Sequence, residues 1–239
     1  MKERVIMIKR KKSVDSALPY CNNAFTLAEV LITLVIIGVI AAMTVPTLMN
    51  NTNNQEYVSK LKKAYSTLAQ ATNLIIAEEG TPRADKGGWA TNSQNIYNLY
   101  KKYLLNAKDC ATTRGCFNQG AYKHLKGGTE SNWNEQTSNN KLILADGTQI
   151  LFSSFTDDEC ASNNIYGSSS KNICGLIYID INGEKKPNTI ARDVFGFVIK
   201  ENGLYPQGCD YDTACDPNVV ESLTYSCACK ILREGAMNY

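Results

Sequence analysis

The sequence predicts an α+β fold: a long N-terminal helix packed on a small C-terminal antiparallel sheet with disulfide-bonded loops. Three observations point there. A stretch without any charged residue runs from Val30 to Met49; apolar residues then recur at helical spacing as far as Ile75; and beyond residue 140 the pattern changes to short apolar runs between turn residues. At 239 residues, 44% hydrophobic and 20% charged, the chain can form one sizeable domain plus an appendage. No internal repeat or low-complexity linker is evident.

The elements follow in order. Lys2, Arg4, Lys9, Arg10, Lys11 and Lys12 make the first 24 residues a basic segment, against only Glu3 and Asp15. With Phe25 to Leu27 in front of it, the charge-free stretch is long enough to cross a bilayer core of about 30 Å at about 1.5 Å per residue. Basic residues on its N-terminal side leave the N-terminus in the cytoplasm and export the rest. An ordinary secretory signal has a shorter apolar region and lacks an acidic residue at its start; here Glu29 stands there.

Tyr57, Val58, Leu61, Tyr65, Leu68, Thr72 and Ile75, with Lys60, Lys62, Lys63 and Gln70 between them, then form one face of an amphipathic helix that Gly80, Thr81 and Pro82 stop. The plan is one helix over about residues 26–79, kinked at Pro46 because proline lacks an amide hydrogen and clashes with the preceding turn. From Arg83 to Asn140 the chain reads as polar and irregular, with one helix over 93–106 on the spacing of Ile96, Leu99, Tyr100 and Tyr103. Residues 141–152 read as a hairpin about a two-residue Asp146-Gly147 turn. Residues 175–181 and 194–199 add strands, giving a sheet of three or four that buries its apolar face on the one-sided half of the helix.

Six of the 25 basic and two of the 23 acidic residues lie in the first 24, so the remainder carries 19 basic and 21 acidic residues, a net −2. A nearly neutral body argues against a nucleic-acid surface, which needs clustered Lys and Arg. Cys21 lies in the basic segment; Cys110, Cys116, Cys160, Cys174, Cys209, Cys215, Cys227 and Cys229 all lie far beyond the apolar stretch. An even set in an exported domain reads as disulfides, with roughly a hundred pairings open. Zinc is the rival reading, but the usual two-residue gap is absent from every close pair. Catalysis finds little support: His124, the single histidine, sits in a polar stretch and reads as a solvated surface group, and neither a nucleophile motif nor a phosphate loop follows a strand.

The run Ala24-Phe25-Thr26-Leu27-Ala28-Glu29, opening an apolar helix after a basic leader, resembles the prepilin processing site of the type IV pilin and type II secretion pseudopilin family. Gly38 and Pro46 stand where many members also have Gly and Pro, and the resemblance covers about residues 1–80. It implies a leader over 1–24 cut between Ala24 and Phe25 by a membrane prepilin peptidase, and methylation of the new Phe25 amine. It also implies a helix over 25–80 that is both anchor and filament core, and an exported domain over 81–239. An inner-membrane assembly platform would build the subunits into a pilus or a secretion pseudopilus, with the anchored domain in the periplasm of a bacterium. The residue before the cut is usually Gly, and Ala24 departs from that. Glu29, a carboxylate near the end of a membrane helix, needs a cation, and the Phe25 amine of a neighbouring subunit is the candidate.

The segment from Asp180 through Asn182 and Gly183 to Asp193 is similar to a loop of pseudopilin-type domains, some of which bind calcium. Its oxygen ligands suit a hard cation, but an EF-hand would need an acidic twelfth position, and a turn stapled by Asx hydrogen bonds fits the same residues. No other cofactor is expected. Two other function classes stay open: a DNA-uptake pilin, a binding module that would need a basic aromatic patch, and a membrane-anchored periplasmic enzyme.

Overall fold

The computed structural model describes residues 25–117, 120–129, 132–154, 160, 173–209, 215 and 225–239. They divide into two compact units that part between Leu48 and Met49. The proposed leader, with Ala24 and Cys21, lies outside the described residues.

The first unit holds the opening of helix α1, which runs Leu27–Glu79. Over Leu27–Pro46 the mean hydropathy is 2.5 and none of the segment is buried. Helix continues on both sides of Pro46.

In the second unit the remainder of α1 lies on a sheet. The buried residues of α1 are Val58, Leu61, Ala64, Leu68, Ala71, Thr72 and Ile75, with Tyr57 and Tyr65 partly covered. Burying each large side chain contributes about 1.5–3 kcal/mol, so this stripe fixes the face that α1 turns inward. Helix α2 (Ser93–Tyr103) starts at Asn92, whose side chain accepts a hydrogen bond from the Asn95 amide at 2.8 Å, and it buries Ile96, Tyr97 and Tyr100.

The sheet has six strands, β1 (Asn106–Ala111), β2 (Asn140–Leu144), β3 (Gln149–Ser154), β4 (Gly175–Asp180), β5 (Val194–Lys200) and β6 (Gly203–Pro206), paired antiparallel in chain order. Helix α3 (Cys227–Glu234) follows and ends at Gly235 in the left-handed conformation. The three or four strands expected from sequence are therefore extended at both edges. Side chains alternate across the pleat. Leu142, Ile150, Phe152, Ile177, Ile179, Phe195, Phe197 and Ile199 face the helices; Ile143, Leu151, Tyr178 and Val194 face a second cluster that contains Tyr122, Trp133 and Tyr225.

The β2–β3 hairpin corrects one expectation. Ile143 pairs with Gln149, and the Gly147 amide donates to the Leu144 carbonyl at 3.0 Å, so the loop holds three residues, 145–147. Gly147 takes φ +88°, the left-handed position that closes a three-residue hairpin, instead of sharing a two-residue turn with Asp146.

Candidate functional site

Three groups of residues carry functional expectations: the start of α1, the Asp180–Asp193 hairpin and the cysteines. At the start of α1, Glu29 Oε2 accepts from the Thr26 amide at 2.8 Å and from Thr26 Oγ1 at 2.9 Å, while the Glu29 amide donates to Thr26 Oγ1 at 3.2 Å. This is a reciprocal capping box: Thr26 holds the N-cap and Glu29 the third helical position, and two amides that the helix cannot pair internally are satisfied. Glu29 was expected to look to the Phe25 amine alone. Thr26 is the residue that reading missed, and its signal, Thr-x-x-Glu ahead of an apolar run, was present in the sequence.

Beyond the box, the large side chains Val30, Leu31, Ile32, Leu34, Val35, Ile36, Ile37, Val39 and Ile40 are all exposed. Thr33 and Thr44, the hydroxyls in this stretch, donate to the Val30 and Ile40 carbonyls at 2.9 and 3.0 Å, so neither presents an unpaired hydroxyl proton to an apolar surrounding. A side chain at Gly38 would meet nothing within 4 Å, so a close approach there needs a second molecule. A helix whose surface is apolar all round requires lipid or other helices for burial. Twenty residues of it rise about 30 Å, the thickness of a bilayer core.

The hairpin between β4 and β5 does bring Asp180, Asn182 and Asp193 together. Asp180 Oδ1 accepts from the Asn182 and Gly183 amides, at 3.1 and 2.9 Å, and Oδ2 from Tyr122 Oη at 3.1 Å. Asp193 Oδ1 accepts from the Thr189 amide at 2.6 Å; Oδ2 accepts from the Asn188 amide at 2.8 Å and from Asn182 Nδ2 at 3.0 Å. Both carboxylates are fully buried. Burial first, and then the neighbouring Asp193, push the Asp180 carboxyl well above the usual range; burial also raises Asp193. Every carboxylate oxygen is already engaged, three by the loop itself and Asp180 Oδ2 by Tyr122, and among the described residues no three acidic, His or Cys side chains converge. These hydrogen bonds are those of a turn stapled by Asx side chains.

The cysteines pair Cys110–Cys116, Cys160–Cys174, Cys209–Cys229 and Cys215–Cys227. The sequence left this pairing open; the last two bridges are nested and join the chain after β6 to the start of α3. His124 corrects another expectation. It is 5% exposed, and its amide bonds the Gly128 carbonyl in the short loop 124–128, which folds it inward instead of leaving it solvated.

Among known families, residues 20–45 match the one described as the prokaryotic N-terminal methylation motif. No curated protein and no solved structure matches the chain. The matched segment ends inside the apolar half of α1 and contains Phe25, Thr26 and Glu29. The chain carries a prepilin-type methylation motif at the head of an exposed apolar helix, which supports a type IV pilin-like family. An N-terminal apolar helix of this kind fits an inner-membrane-anchored protein, and the motif in general implies prepilin peptidase processing and filament assembly.

Proposed function

We propose that this chain is a structural subunit of a type IV pilus or a type II secretion pseudopilus, and that it has no enzymatic role. Its precursor is cut between Ala24 and Phe25, the Phe25 amine is methylated, and an inner-membrane platform assembles the subunits, with the disulfide-bonded domain in the periplasm or on the cell surface. The observation that carries this reading is the capping box of Thr26 and Glu29, within the methylation motif, at the head of a helix exposed and apolar on every side.

The box bears on assembly. Both Thr26 bonds fall on Oε2 of Glu29, so the carboxylate is held at the head of the helix while Oε1 stays available to a cation. In a staggered bundle that cation is the Phe25 amine of a neighbouring subunit, and pairing of two charges in an apolar surrounding would set the register between helices. Gly38 would permit close helix approach and Pro46 local loosening of the core. Changing Glu29 to Ala tests this in cells that carry the assembly machinery: cleavage should persist while sheared filaments fall to background. Normal filaments from that variant would remove the pairing from the mechanism.

A further inference from the structure

We propose that the Cys209–Cys229 bridge is a redox-exchange site: a dithiol partner opens it, while the other three bridges stay closed and the fold stands. Burial separates this bridge from the rest. Cys110, Cys116, Cys160, Cys174, Cys215 and Cys227 are all buried, at 7% exposure or less, whereas Cys209 is exposed and Cys229 half-buried. Exchange needs a thiolate that can reach one of the two sulfurs, so access decides which bridge reacts first. The nested pair shows the contrast most closely, because both of its bridges start in the first turn of α3, at Cys227 and Cys229. Two positions along a helix lie about 200° apart around its axis. Cys227 therefore joins Ala228 and Ile231 on the buried side, and Cys229 stands at the margin.

The chain around this bridge is held by other contacts as well. The Gln207 amide donates to the Gly196 carbonyl at 3.0 Å, and the Cys229 amide to the Gln207 carbonyl at 3.1 Å, so backbone bonds run from β5 through residue 207 to α3. Gly208, at φ +92°, lies so close to Ser226 that a Cβ there would overlap the Ser226 carbonyl oxygen. Ser226, Ala228 and Ile231 are buried, and the buried Cys215–Cys227 bridge ties the same connection across twelve positions. Opening Cys209–Cys229 removes one restraint of several and leaves its two sulfurs close together, ready to re-form the bond. A thiolate of the partner attacks Sγ of Cys209, the exposed end; the S–S bond breaks, and Cys229 leaves as a thiolate that takes a proton from water. The partner's second thiol then attacks the mixed disulfide and releases Cys209 as a thiol. Two electrons pass from the dithiol to the bridge, and the partner departs as a disulfide. The chain thus has a reversible three-bridge state, reached through any partner that carries two neighbouring thiols.

The test takes the full chain in detergent, blocks free thiols with N-ethylmaleimide, adds limiting dithiothreitol, and traps the new thiols with iodoacetamide for peptide mass spectrometry. Cys209 and Cys229 should be labelled about tenfold faster than the other six bridged cysteines. Followed by Trp fluorescence, the three-bridge form should keep one cooperative melt at a lower midpoint, and Cys209→Ser with Cys229→Ser should reproduce that melt. Replacing the dithiothreitol by oxidised glutathione should restore Cys209–Cys229. Earlier opening of another bridge, opening of all four together, loss of the cooperative melt in the three-bridge form, or reoxidation to a different pairing overturns the proposal.

Discussion

Lys141 is fully buried in β2, on the sheet face where the strand period calls for an apolar side chain, and its partner across the ladder is Leu151. Among the described residues no carboxylate pairs with it. Its ammonium instead donates to three backbone carbonyls of one turn, Gln136 at 2.7 Å, Asn134 at 3.3 Å and Trp133 at 3.4 Å. Burial lowers its pKa, as it must for an ammonium without a counter-ion in contact. The turn it clamps carries Trp133, whose ring lies 4.5 Å from Tyr122 and 5.9 Å from Tyr178. Replacing Lys141 by Met keeps the length and removes the three donors. The short charge-assisted bond contributes about 2 kcal/mol and the two long ones about 0.5–1 kcal/mol each. Relief of the buried charge returns part of this, leaving a net loss of about 2 kcal/mol. In a domain of this size that lowers the melting midpoint by about 4–8 °C. The assay is thermal unfolding of the full chain in detergent with disulfides intact, followed by Trp fluorescence. An unchanged or higher midpoint would show that the charge is a burden there and that other contacts hold the turn.

Other expectations test other parts of the structure. Gln207 is 4% exposed, with neither side-chain oxygen nor nitrogen hydrogen-bonded, and it lies over Gly196, where a Cβ would sit 2.4 Å from its Oε1. Gln207→Met should therefore raise stability by about 1 kcal/mol in the same melt, and a loss would mean that the amide is satisfied in solution. Because the folded pKa of Asp180 lies above its unfolded value, its contribution is complete below about pH 4 and fades as pH rises through the elevated pKa. Asp180→Asn keeps an oxygen for the two amides, so the variant should gain on the parent progressively as pH increases; a difference independent of pH would contradict the raised pKa. If the Asp180–Asp193 hairpin is only a stapled turn, exchanging EGTA for calcium should leave the melting midpoint unmoved, whereas a calcium-dependent rise would make it an ion site. Ala24→Asp should stop maturation, read as retention of the precursor band on a gel, and continued processing would move the cut elsewhere.

The parts legible in the sequence were those with strong periodicity. The boundaries of α1 followed from an apolar run, a heptad-like stripe and the Gly80-Thr81-Pro82 stop, and β2 to β5 from β-branched and aromatic runs. The edges were not legible for physical reasons. Strand β1 reads Asn-Ala-Lys-Asp-Cys-Ala, polar as suits a strand that stands at the sheet's edge among the described residues, and β6 is four residues bounded by Gly203 and Pro206. Neither signals a strand until the adjacent one supplies a ladder. Helix α3 buries only Cys227, Ala228 and Ile231, too short a stripe to show as periodicity. His124 reads as polar and therefore outside, yet the short loop 124–128 folds it inward. The nested bridges Cys209–Cys229 and Cys215–Cys227 depend on a tertiary fold that no spacing encodes. At the start of α1 the reverse holds: the Thr26–Glu29 box is local, and a reading of cap residues alone contains it.

The most direct test of the subunit assignment is intact mass and N-terminal sequencing of the protein extracted from membranes of cells with an active prepilin peptidase. A chain that begins at N-methyl-Phe25, with its eight remaining cysteines oxidised, is the expected result. A chain that keeps residues 1–24, or is cut at another position, would contradict it and make this an ordinary anchored exported domain.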